Sequence, residues 1–179
     1  MKRRISLAIV ATFVAGAMLS LPLQARHGPS EAQLVARIQR ERNPVKKAKL
    51  EVRLANVKLK QAISAYDGQK LSQGSNLLKA YLDDVKGAWH TLQASGRDPA
   101  KKPQGFMDLE ISLRENMRHL TDARGRVYYA NRGPIDQVRS QINNLDAQVL
   151  SALFPSLKAN VPDQKHANSL TAAPGRVHP

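Results

Sequence analysis

The chain contains no cysteine. That absence excludes disulfides, thiolate metal sites, thiol nucleophiles and lipidation of an N-terminal cysteine, and leaves packing as the source of stability. Alternating β-branched runs are also missing, and Val127-Tyr128-Tyr129 is too short to support a sheet. With no strand leading into a Gly-rich loop, there is no cradle for a phosphate. Aromatic residues are only 4% of the 179 positions. No helix-turn-helix, zinc or aromatic-interleaved motif accompanies the basic residues, which argues against nucleic acid as the partner.

Catalytic constellations are equally scarce. The five histidines, His27, His90, His119, His166 and His178, are scattered, and none forms a paired metal-ligand spacing. A carboxylate metal site in a helical bundle needs Glu-x-x-His pairs, whereas Glu115 and His119 stand four residues apart and have no second copy. Asp83-Asp84, next to Leu82 and Val85, fit the solvated face of a helix. We therefore assign no catalytic residue, no cofactor and no metal, and read the chain as non-enzymatic. A small enzyme with an unrecognised site is the alternative.

The N-terminus carries an address. Lys2, Arg3 and Arg4 form a positive n-region, the run from Ile5 to Leu19 is apolar, and Pro22 precedes a small-residue stop at Ala25. Residues 1–25 are expected to be a signal peptide cut after Ala25, giving a periplasmic or secreted protein of a bacterial cell envelope. Retention of the segment as a membrane anchor is the competing reading, since its apolar run approaches the length of a spanning helix. At the other end, Pro155, Pro162, Pro174 and Pro179 punctuate a stretch with few large apolar residues. Such a segment buries too little surface to offset its ordering entropy, so residues 156–179 are expected to be a disordered tail.

Between these segments, residues 26–155 form one domain whose apolar pattern is helical throughout. Ser30 with Gln33 makes a capping box that opens a first helix near Glu31. Asn43-Pro44 breaks or kinks it, because the residue before proline avoids helical angles while proline suits a first turn. After the break Val52, Ala55, Leu59, Ala62, Ile63 and Tyr66 recur at helical spacing. Asp67-Gly68-Gln69-Lys70 is a turn, followed by a second stripe through Leu78, Tyr81, Leu82, Val85, Trp89 and Leu92. Breaks at Gly96 to Gly105 and at Arg132-Gly133-Pro134 delimit two more helices, one through Phe106, Leu109, Leu113, Met117 and Leu120, the other through Ile135, Val138, Ile142, Leu145 and Val149. The pattern predicts an all-α, antiparallel helical bundle of about four main helices, the first broken or kinked at Pro44. Tyr66, Tyr81 and Trp89 are expected to fill the core with their polar tips at its rim. No second copy follows at the period of about 34 residues that a tetratricopeptide array requires.

Charge is the remaining signal. The formal net charge is +14, and subtracting the three leader cations leaves +11. Between Arg26 and Lys60 ten Lys or Arg face only Glu31, Glu41 and Glu51. Within the helix after Pro44, Lys46, Lys49, Arg53 and Lys60 fall on an arc of about 60° at 100° per residue. This stripe is either a solvated face or a docking face for an anionic partner, such as an anionic envelope surface or an acidic protein. Leu50, Leu54 and Val57 lie beside it on the side away from the core. Either a partner covers them, or the 31–42 piece folds back with Leu34, Val35 and Ile38 to do so. The function expected from these features is that of an exported binding or structural module with a basic face.

Overall fold

The computed structural model describes residues 30–156. The leader expected over 1–25 and, from residue 157 on, the expected tail lie outside the described residues. Within them the chain forms α1 (Glu31–Arg40), α2 (Pro44–Asp67), α3 (Leu71–Ala94), α4 (Phe106–Arg126), a 3-10 turn (Tyr129–Asn131) and α5 (Gly133–Leu153). No strand occurs among the described residues. The bundle is all-helical as expected; it counts five helices because the interruption at Pro44 is a complete break.

Local chemistry sets the first two helices. The Ser30 hydroxyl accepts from the Gln33 N–H at 3.3 Å, and the Gln33 amide oxygen accepts from the Ser30 N–H at 3.1 Å. Both orphan donors are thereby satisfied. At the break, Glu41 and Asn43 are extended, and Asn43 Oδ1 accepts from the N–H groups of Val45 and Lys46 at 3.0 and 3.2 Å. Pro44 occupies the position where a missing N–H costs nothing. The chain can therefore reverse, and α1 lies back along α2.

That reversal builds a second small core. Leu34, buried on α1, packs with Leu50 and Leu54 of α2, flanked by half-buried Ile38 and Val57. The outer leucines of α2 are thus covered by the chain itself. Val35 is not part of the cover and stays exposed.

The main core lies between α2, α3, α4 and α5. Leu59, Tyr81, Leu113 and Ile142 meet there, and Trp89 packs edge-on against Phe106 with ring centroids 5.9 Å apart. Cross-helix pairs fix the directions. Glu51 with Thr91 and Lys58 with Asp84 make α2 and α3 an antiparallel hairpin, and Arg124 with Asp136 does the same for α4 and α5. Between the hairpins, Lys49 with Asp108, Asn56 with Asn116 and Asp67 with Arg126 advance together, so α2 runs parallel to α4. Residues 95–105 make this arrangement possible by carrying the chain from the end of α3 across to the start of α4. The crossing closes on Gly105 at φ 87°, where a Cβ would stand 2.8 Å from Leu92 Cδ2 and 3.2 Å from Val45 Cγ1. Only glycine fits both the angle and the space.

The turn between α2 and α3 has an unusual residue order. Lys70 N–H reaches the Ala65 carbonyl and Gln69 N–H the Tyr66 carbonyl, at 2.8 and 3.0 Å. This is the Schellman pattern, whose left-handed position is usually glycine. Here that position is Gln69 at φ 57°, while Gly68 before it sits at φ −84°.

Candidate functional site

Lys46, Lys49, Arg53 and Lys60 are all exposed on α2, but the fold divides them. The first three border a depression of about 150 Å³ between α1 and α2, together with Arg37, Glu41 and Leu50. Arg37 arrives from α1 and belongs to the group in space though not in the helical stripe. Lys60 lies seven residues past Arg53, roughly 10 Å along the axis. It borders a depression of about 220 Å³ between α2 and α4, beside Asn56, Ile63, Glu115, Asn116 and His119; Asn56 and Glu115 also line the adjoining depression that Lys49 and Arg53 share with Asp108.

Few internal partners offset the four grouped cations. Lys49 stands 3.7 Å from Asp108 with both side chains about half exposed (54% and 49%), a geometry in which solvent screening leaves little net attraction. Among the described residues no carboxylate pairs with Arg37, Lys46 or Arg53. Glu41 is engaged with the Asn43 N–H at 2.9 Å. Lys46 and Lys47 also occupy the first turn of α2, which holds no acid. Cations there oppose the helix dipole by about 0.3–1 kcal/mol each at low salt, and like charges four apart, as Lys49 and Arg53 are, add about 0.2–0.5 kcal/mol of repulsion. The face is electrostatically unfavourable in isolation, and an anion would relieve it.

Other polar groups have structural partners. Lys58, inside the basic segment but off the stripe, turns inward to Asp84 at 2.8 Å, with side chains only 17% and 20% exposed. Asp84 is therefore not on the solvated face expected for it, whereas Asp83 is. Burial raises the Asp84 carboxyl above its ordinary value, against the pull of Lys58. At the α2–α4 seam, Asn116 Nδ2 donates to Asn56 Oδ1 at 2.7 Å, and the Ser112 hydroxyl donates to the same oxygen at 3.3 Å. Tyr81 from α3 is wholly buried. Burial pushes its hydroxyl far above the ordinary phenol value, with Asn116 opposing.

Between α4 and α5, buried Glu110 pairs with Arg114, and the Asp146 carboxyl is raised first by burial, then by Glu110, with Arg114 opposing. In contrast, the hydrogen bond from Arg124 holds Asp136 below the usual carboxylate range. No group of three His, Cys, Asp or Glu side chains is placed to hold a metal ion among the described residues.

The aromatics divide unexpectedly. Tyr66, Tyr81 and Trp89 are buried, and the hydroxyls of Tyr66 and Tyr81 lie inside rather than at the rim, that of Tyr66 with no hydrogen-bond partner among the described residues. Tyr128 and Tyr129 are 81% and 84% exposed. Tyr128 borders a cavity of about 420 Å³ at the end of the bundle where α2 finishes. The polar groups beside Tyr128 come from the α2–α3 turn, the end of α4 and the link after it, which are far apart in the sequence.

No helix among the described residues is long and apolar enough to cross a membrane. No protein-family model, curated protein or solved structure matches the chain.

Proposed function

We propose that this protein is an exported, non-enzymatic helical module of the bacterial cell envelope that docks on an anionic surface through the face shared by α1 and α2. The observation that carries this reading is the grouping of Arg37, Lys46, Lys49 and Arg53 around one depression, opposed by Glu41 and by one weak pair to Asp108. Summed positive potential at such a face draws in anionic surfaces and raises their association rate. Phosphate-bearing lipid headgroups are the partner that an export signal makes most accessible.

The test is sedimentation with vesicles of anionic phospholipid against vesicles of neutral phospholipid. Each cation near an anionic membrane contributes on the order of 1 kcal/mol at low salt. Replacing Arg37, Lys46, Lys49 and Arg53 together with Gln should therefore weaken binding by up to several hundredfold with helicity unchanged. Lys60→Gln, which lies outside the depression between α1 and α2, should cost much less. Added salt should reproduce the loss, since exposed charges are screened over about 8 Å at physiological ionic strength. Failure of the wild type to bind at low salt, or equal binding by the fourfold variant, makes the stripe a solvated face.

A further inference from the structure

At the opposite end of α2 from the cations, the chain builds a cleft that the anion-docking reading does not use. Its position follows from one alternation in the sequence. After α4 ends, Val127 turns into the core and is buried, which forces Tyr128 outward. The 3-10 turn and Arg132 then fix the link: the Arg132 Nε–H donates to the Val127 carbonyl at 2.8 Å, and its guanidinium lies 5.9 Å from the centre of the Tyr129 ring. Two large rings thus stand in water on an anchored segment, in a chain with eight Phe, Trp and Tyr residues in all. Exposed aromatic surface held rigid is the usual mark of a contact site.

Polar groups converge beside it. The cavity of about 420 Å³ is bounded by Tyr66, Asp67, Gln69, Arg126, Tyr128 and Asn131 among others, a size in the range of small-molecule sites. Arg126 donates to Asp67 through Nε at 3.0 Å and Nη2 at 3.4 Å. The pair is half exposed, so outward-facing donors and acceptors remain free on both. Asn131 and Gln69 add primary amides, each with donors and an acceptor. Tyr66 contributes to the floor, where its buried hydroxyl has no hydrogen-bond partner among the described residues. The Tyr66 ring is itself fixed, because it covers Gly74 so closely that a Cβ there would stand 2.8 Å from it.

The balance of these groups selects the ligand. A phosphate or carboxylate needs uncompensated cations, and here Arg126 is neutralised by Asp67 while Arg132 is committed to Val127 and Tyr129. An apolar ligand would leave the amides of Gln69 and Asn131 without partners. Paired donors and acceptors next to an exposed aromatic face suit a polyhydroxylated ring, whose hydroxyls both give and accept hydrogen bonds while its C–H face stacks on tyrosine. We infer that the cleft between the α2–α3 turn and the α4–α5 link is a saccharide-binding site, with Tyr128 as the stacking platform and Asp67, Arg126, Gln69 and Asn131 as the hydroxyl-recognising groups. The site lies roughly 20 Å along α2 from Arg53 and is independent of the cationic face.

Titration of the natively processed full chain with chitotriose, cellotriose and maltotriose, followed by backbone amide chemical shifts, tests the assignment. With at least one trisaccharide, the amides of Gln69, Tyr128 and Asn131 should shift to saturation, and whichever binds reports whether an acetamido group or a linkage geometry is preferred. Tyr128→Ala, at a position too exposed to affect folding, should weaken that binding about tenfold or more. Tyr128→Phe, which keeps the ring, should stay within about threefold of wild type. The variant with Gln at positions 37, 46, 49 and 53 should bind the saccharide normally, which separates this result from that of the vesicle experiment. Absence of saturable shifts with all three sugars overturns the assignment, as does undiminished binding by Tyr128→Ala. Concentration-dependent shifts of the same amides without sugar, removed by Tyr128→Ala, would make the site a self-association surface and overturn it equally.

Discussion

Replacing Leu34 with Ala should detach α1 while leaving the remaining bundle intact. Leu34 is 1% exposed and is the one fully buried residue of α1; its partners Leu50 and Leu54 belong to a cluster separate from the main core. Truncating a buried leucine costs about 2–5 kcal/mol, and the small size of this cluster places the change near the lower end, about 2–3 kcal/mol. An isolated helix of ten residues is not stable in water, so an undocked α1 also unravels. At about 1.4 kcal/mol per factor of ten, hydrogen exchange of α1 amides should accelerate roughly 30- to 150-fold. Amides in the middle of α3 and α5 should keep their wild-type rates. Val35→Ala, on the exposed side of the same helix, is the matched control and should change neither. Unchanged protection in α1 would refute the anchoring role of Leu34, and equal loss across all five helices would refute the claim that α1 is a separate unit. Because Arg37 is delivered by α1, the same variant should bind anionic vesicles more weakly than wild type.

Two further outcomes follow from local geometry. Gly68→Ala combined with Gln69→Gly should stabilise the fold by about 1–2 kcal/mol in urea unfolding, because it moves glycine to the left-handed position and removes it from one that any residue adopts; a lower midpoint would contradict that account. Asp146→Asn should raise stability at pH 7, since burial in the native state holds this carboxyl above the ordinary aspartate value and so disfavours its charged form. The gain should shrink as pH falls through the raised native value and vanish below the unfolded value; a gain of equal size at pH 3 would rule out the charge as its cause.

Much of the fold was legible because its signals are local. Ser30 with Gln33, Asn43 with Pro44, and the apolar spacing of α2 through α5 each act within one or two turns of helix, where sequence separation and spatial separation coincide. The basic face was legible in part for the same reason: Lys46, Lys49 and Arg53 share one helix, so the helical period alone brings them together. Arg37 escaped that reasoning because its place beside them depends on the reversal at residues 41–43 and on burial of Leu34. Lys60 was grouped with the others by angle, although its distance along the axis takes it away from α1 and sets it beside Ile63, Asn116 and His119.

Sequence alone therefore determined which segments are helical, where they begin and end, and which face of each is apolar, since propensity, capping and amphipathic period are properties of short stretches. Tertiary structure decided which helices become neighbours, that Lys58 and Asp84 pair inside while Lys46 and Arg53 stay in water, and that Tyr128 stands over polar groups drawn from positions 66–69 and 126–131. Those outcomes are fixed by contacts between residues up to 60 positions apart. Such contacts arise when apolar faces of separate helices are buried together, and no local pattern in the chain encodes which faces will meet.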